Sequence, residues 1–265
     1  MKNPYEELHR EFVLAGARLM LSSGQACVMY GIATFSKDGD WIIEESEQSC
    51  RAVLSVLEGK KAGYRLGAPL DCRFLSRGWT SHFEYQSDAI RTRVDFCSRP
   101  PRIQALDALW KNMINKKGID IVDVESLILL KQTRRIRDYS VIGALAETLG
   151  FNANVPEIAL AFLQDYDLLK KAVEKWPDQA RKSDREAVRL IASGGSRKDV
   201  VIAIAVEQDQ LIQTDRNRID RLIELSRDFG TQFFQYRKKW KKSGSPLSQQ
   251  HADLVGLAEK HLQSL

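Results

Sequence analysis

Tyr30 to Ile43, YGIATFSKDGDWII, constrains this chain more than any other stretch. Its second half reads as a strand, where side chains alternate faces, so Asp38 and Asp40 point one way while Gly39 and Trp41 point the other. Two carboxylates on one face with no base between them repel each other, and a fold keeps such a pair where a cation sits. Mg²⁺ suits them, because it takes one or two carboxylates and leaves its other positions to water and substrate phosphates. The same residues also fit an exposed turn at Asp38-Gly39, a common hairpin signal.

At 265 residues the chain has length for one large domain or two modest ones. Hydrophobic residues at 43% and charged residues at 28% are ordinary for a folded globular protein. A net charge of +5 and a pI near 9.0 suit phosphate-bearing ligands. No run of about eighteen apolar residues occurs, and the charged opening MKNPYEELHR has no signal-peptide pattern, so a cytoplasmic setting without a membrane partner is expected. Cys27, Cys50, Cys72 and Cys97 form no CxxC pair, which points to buried free thiols rather than a zinc or redox centre.

Residues 5 to 22 carry Leu8, Phe12, Ala15, Leu19 and Met20 at helical spacing, with Gly24 where a C-terminal cap would fall. The apolar run Ala26 to Tyr30 predicts a buried strand ahead of the Asp38 to Ile43 strand, and Ser49 to Glu58 predicts a helix. Asp71 to Phe74, His82 to Tyr85 and Thr92 to Phe96 read as strands, the last with Val94 and Phe96 on one face and Arg93 and Asp95 on the other. Asp95 is thus a third acid on a core-like strand, and sheet pairing that brought it beside Asp38 and Asp40 would complete a metal site. A surface acid on an edge strand is the competing explanation. Ile103 to Ile114 predicts a helix, Ile119 to Val122 a strand, and Asp123 the cap of a helix from which Lys131 emerges. Beyond Gly150 only helical patterns remain, at Ile158 to Trp176, Ser183 to Ala192, Val200 to Phe229 and a last helix carrying Leu254, Leu257 and Leu262. The chain therefore divides near residue 150, into a mixed half (1–150) and an all-helical half (151–265).

Taken in order, these pieces resemble the nucleotidyltransferase-like superfamily, which has a polymerase-β-type fold. Phe35-Ser36-Lys37-Asp38-Gly39-Asp40 has the form of its paired-aspartate element, and Arg93-Val94-Asp95 falls where its third acid is expected. Leu127 to Lys131 followed by Arg137-Asp138-Tyr139 is similar to a later helix of uncharacterised bacterial members. The resemblance covers roughly residues 5 to 150. It implies an α+β fold with a nucleotidyltransferase-type mixed β-sheet flanked by helices, followed by an all-helical C-terminal region. It also implies that Asp38, Asp40 and Asp95 hold Mg²⁺ (or Mn²⁺) and act in catalysis, and that Gly31, Ser36 and Lys131 bind the nucleotide. The reaction implied is transfer of a nucleoside monophosphate from a nucleoside triphosphate to a hydroxyl of RNA, a protein or a small molecule. Two positions depart from the family pattern. Gly31 is followed by Ile32 where the phosphate loop usually has Gly-Ser or Gly-Gly, leaving Ser23-Gly24 as an alternative; and Gly39 stands where an apolar residue is usual.

Two other expectations follow. The altered loop fits a catalytically weak or inactive binding or regulatory protein of the same fold, for example in a toxin-antitoxin or defence system. The run Arg237-Lys238-Lys239-Trp240-Lys241-Lys242, with Tyr236 and Trp240 as stacking groups, fits RNA binding, against the commoner reading as a solvated helix end. Among the histidines only His82, on a predicted strand before Asp95, could approach the site, and a satisfied structural histidine is the preferred reading of it.

Overall fold

The computed structural model describes residues 3–87 and 90–262. The described chain is α+β, with seven strands: β1 Leu19–Leu21, β2 Asp38–Ile43, β3 Gly63–Gly67, β4 Ser81–Ser87, β5 Ile90–Cys97, β6 Ile114–Lys116 and β7 Ile119–Ile121. They form one mixed sheet in the order β3-β4-β5-β2-β1-β7-β6. Pairing is parallel between β2 and β5 and between β1 and β7, and antiparallel elsewhere.

Two compact units divide the chain, and the division is not at residue 150 as expected from the change in pattern. The first comprises 1–123 and 221–265, the second 124–220. Around the sheet of the first unit are α1 Pro4–Leu14, α2 Ser23–Met29, α3 Glu47–Gly59, α4 Cys72–Leu75 and α5 Leu106–Lys111. The intervening chain holds α6 Val124–Lys131, α7 Ile136–Glu147, α8 Pro156–Phe162, α9 Tyr166–Lys175, α10 Pro177–Ala180, α11 Glu186–Ala192 and α12 Arg197–Leu225. The last two helices, α13 Arg227–Ser243 and α14 Leu247–His261, return to the first unit. Tyr64 on β3 ties them in: its N–H donates to Gln250 Oε1 (3.0 Å), and its hydroxyl meets His251 Nδ1 at 2.7 Å. Among the described residues no helix is long and apolar enough to cross a membrane.

Several local expectations give way to the structure. The opening helix stops at Leu14, where Gly16 turns the chain with φ of +97°, and Leu19-Met20-Leu21 become β1. That strand is buried throughout, so it lacks the alternation that marks a half-exposed strand. The run expected as a strand at 26–30 is α2, and that at 71–74 is α4, started by the Asp71 side chain accepting from Arg73 N–H. Short apolar runs fit either structure, and at α4 the Asp71 cap favours the helix. The helix expected over 103–114 is shorter, with Ile114 passing into β6, while 158–176 is two helices, the second capped by Asp165.

One face of the sheet is the core of the first unit. Trp41 of β2 stacks on Phe96 of β5 with centroids 5.6 Å apart and meets Phe12 of α1 edge-on at 5.5 Å. Phe83 of β4 meets Phe96 edge-on at 5.9 Å. Gly39 is explained by this packing, since a Cβ there would lie 2.5 Å from ring atoms of both Trp41 and Tyr5. The two rings occupy the volume that an apolar side chain between the aspartates would need.

His9 of α1 is 1% exposed, with Nδ1 3.3 Å from the Trp41 indole nitrogen and Nε2 3.3 Å from the Asp120 backbone N–H. A neutral imidazole has one acceptor nitrogen, so it satisfies one of these two donors at a time. Burial pushes the imidazole down to about 4. Between that value and the ordinary 6.5 the unfolded chain holds a proton that the folded chain refuses. The associated stability is present in full above the ordinary value and lost as pH falls toward 4, on the order of 3 kcal/mol in total. Urea unfolding of the parent and a His9→Gln variant across this range should show the parent losing stability more steeply; parallel curves would refute the assignment.

Candidate functional site

The sheet face opposite the aromatic core carries the candidate site. Along β2, Gly39 and Trp41 are buried in the core while Asp38 and Asp40 are half-buried on the other side. β5 runs parallel in the register Asp38↔Arg93, Gly39↔Val94, Asp40↔Asp95 and Trp41↔Phe96. Asp40 and Asp95 are therefore direct neighbours on adjacent strands, which lie about 4.8 Å apart. Asp38 lies two residues along on the same face. Both Asp38 and Gly39 belong to β2, so the sequence alternative of an exposed hairpin turn is not what forms.

Asp38 has one buried oxygen, Oδ1, with no hydrogen-bond partner, and the Arg93 guanidinium approaches it only to 3.7 Å. Asp95 is more tightly engaged. Arg65 of β3 donates to both of its oxygens at 3.0 and 3.2 Å, and His82 Nδ1 lies 2.9 Å from Oδ1. That His82 contact is close but off the ideal hydrogen-bond direction. His82 Nε2 in turn meets Thr80 Oγ1 at 2.8 Å. Burial alone would raise the Asp95 carboxyl, but His82 and Arg65 outweigh it and hold it below the usual carboxylate range. Further along the face Glu84 of β4 accepts from Arg91 and, at 2.8 Å, from Arg237 of α13. Among the described residues no three His, Cys, Asp or Glu side chains are gathered into a metal cage.

The remaining expected residues are distributed as follows. Gly31 is exposed just past the C-terminal end of α2, with φ of +76°, not at the end of a strand. The strand-to-helix turn before the acids is instead at Ser22, with Ser23 and Gly24 opening α2. Ser22 N–H donates to the Asp40 carbonyl at 2.9 Å, and a Cβ on Gly24 would fall 2.2 Å from Ser36 Oγ. Ser36 donates to the Asp38 carbonyl at 3.1 Å, so its hydroxyl braces the strand that carries the acids. Lys131 belongs to the second unit, where it is 7% exposed and lies 3.8 Å from Asp138. Arg65 carries no sequence signal that marks it as a partner of Asp95, whereas His82 is the one histidine expected within reach of the site. His82 sits opposite Asp95 in the β4–β5 register, a relation visible only once the strands are paired.

A cavity of about 930 Å³ lies within the second unit, lined among others by Gln164, Gln208, Arg185 and Glu207. Of its lining groups, Arg185 is paired with Glu207 at 2.8 Å, and Gln208 donates to Gln164 at 2.7 Å. The acids of the sheet are the better candidate for chemistry, since like charges gathered on one face call for a cation.

Compared with known proteins, the chain matches no family model, and no curated protein is significantly similar to it.

Proposed function

We propose that this protein is a divalent-metal-dependent nucleotidyltransferase, moving a nucleoside monophosphate from a nucleoside triphosphate to a hydroxyl acceptor. The observation that carries this reading is the parallel β2–β5 register, with Asp40 beside Asp95 and Asp38 on the same face. The core does not need these acids, since Trp41, Val94 and Phe96 fill it from the opposite side of the same strands.

Asp38 and Asp40 fit a divalent cation, the unpartnered buried oxygen of Asp38 being the specific sign. A bound Mg²⁺ would neutralise triphosphate charge and orient the phosphates for in-line displacement. The chain's own residues divide the other work. Asp95, beside Asp40 on the same face, would accept the acceptor hydroxyl's proton, and His82 and Arg65, which hold it below the usual carboxylate range, make it a weak base for that task. His82 lies between Asp95 and Thr80 and can share that proton. Arg93, beside Asp38 in register, supplies the nearest cation for phosphate oxygens.

One observation favours the alternative of a fold kept for binding without turnover: Arg65 already occupies both oxygens of Asp95. Incubation with α-labelled nucleoside triphosphates, Mg²⁺ and RNA, protein or small-molecule acceptors separates the readings. The transferase reading expects labelled product and pyrophosphate, abolished in an Asp38→Ala, Asp40→Ala double variant. Nucleotide binding without consumption supports the alternative, and transfer surviving in the double variant removes these residues from the mechanism.

A further inference from the structure

The basic run of α13 is not one solvated block. Trp240 is 3% exposed and donates its indole N–H to Asp253 at 2.8 Å, so it is a core anchor and not a stacking group. Arg237 is tied to Glu84. Phe229, Phe233 and Trp240 mark the buried side of the helix. On the opposite side, Arg227, Phe234, Lys238 and Lys241 recur at spacings of seven, four and three residues, which places them along one stripe flanked by Lys239 and Lys242. Phe234 is 56% exposed, a large ring standing in solvent beside cations. All four lysines are exposed, and among the described residues none of them makes an ion pair with an acid. Lys238 with Lys242, and Lys238 with Lys241, stand at spacings where like charges repel. Cations at a helix C-terminus do suit its dipole, but that effect accounts for neither the exposed ring nor the length of the stripe.

We propose that the outer face of α13 is a docking surface for single-stranded nucleic acid. The lysines would follow the phosphates and Phe234 would stack on a base, the pairing of groups that sequence-tolerant single-strand binding uses. The surface also leads toward the acids. Arg237 fastens α13 to Glu84, and Glu84 stands two strand residues from His82 on the site face. A strand docked on α13 is therefore the acceptor class that fits the transfer proposed above; this last step rests on that reading, while docking itself does not.

The test is fluorescence anisotropy with labelled 20-nucleotide oligo(U) and oligo(dT), without nucleotide or Mg²⁺, over a series of KCl concentrations, with phosphatidylserine vesicles as a competing anionic surface. In a variant carrying Lys238→Gln, Lys239→Gln, Lys241→Gln and Lys242→Gln, the slope of log K against log salt should shrink by up to about 3, near 0.7 per lost phosphate contact. Phe234→Ala should weaken binding about tenfold with the slope unchanged. Circular dichroism of both surface variants should match the parent. Oligo(U) or oligo(dT) binding with these responses supports docking, and comparing the two oligonucleotides tells RNA from DNA. An unchanged slope and affinity in the lysine variant overturns the proposal, as does lysine-dependent binding to vesicles alone. Oligonucleotide binding by a parent that transfers nothing would sink only the transferase reading. Parental rates of transfer to oligonucleotide by the lysine variant would sink only the step that makes the docked strand the acceptor.

Discussion

Replacing Asp38 by Asn should lower nucleotidyl transfer by about 10²–10³-fold while leaving the fold as stable as before to within about 1 kcal/mol. The loss follows from removing one of two carboxylates that hold the cation, a contribution of several kcal/mol to transition-state charge stabilisation, at 1.36 kcal/mol per tenfold in rate. The small cost in stability follows from the surroundings. Asp38 makes one ion pair, with Arg93 at 3.7 Å, and the two side chains are 40% and 38% exposed, a geometry of little worth in water. Asn also keeps the shape of the side chain. Initial rates at saturating Mg²⁺, set beside urea midpoints, read both quantities. If rate and stability fall together, the residue is holding the sheet and not a metal; if the rate is unchanged, the proposed site is wrong.

Trp41→Ala should do the reverse, costing about 3–5 kcal/mol of stability through the cavity it leaves. The indole is 1% exposed, stacks on Phe96, meets Phe12 edge-on and lies within reach of His9, so the space cannot be refilled by solvent or by one neighbour. Aromatic pair terms of roughly 0.5–1.5 kcal/mol each add to the loss. Against the ~5–15 kcal/mol that holds a typical domain together, this is a large fraction. Activity should fall too, because Trp41 sits next to Asp40 and fixes which way the strand faces. Denaturant unfolding checks the magnitude, and a cost below 1 kcal/mol would contradict the packing described.

The strands that alternate were legible in the sequence, and those that do not were hidden. β4 and β5, and β2 over Asp38 to Trp41, show buried and more exposed residues by turns, so period two finds them, and the length and apolar spacing of α3 find it equally. β1 is three buried residues continuing an apparent helical pattern, and nothing local separates it from α1 except Gly16. The acids themselves could be named from spacing, but their meeting could not, since β2 and β5 are 46 residues or more apart and pair through parallel register. Arg65 escaped for the same reason, and His82, though expected within reach of the site, was read as structural, because the pairing of both with Asp95 lies across strands. Gly39 looked like a defect between two aspartates until Tyr5 and Trp41 were seen to fill its side of the sheet. The boundary at residue 150 marked a change in local pattern, whereas a compact unit is defined by contacts, and those of α13 and α14 lead back to β3.

That return has a consequence for synthesis on the ribosome. The sheet-bearing unit is completed only after residues 124–220 have been made, because α13 and α14 follow them. At roughly 5–20 residues per second, its early strands wait on the order of ten seconds for the helices that cover β3. A fragment ending near residue 150 would make that wait permanent, leaving Tyr64 without Gln250 and His251. For this chain, the time at which the acid-bearing sheet becomes a finished surface is set by residues 221–265.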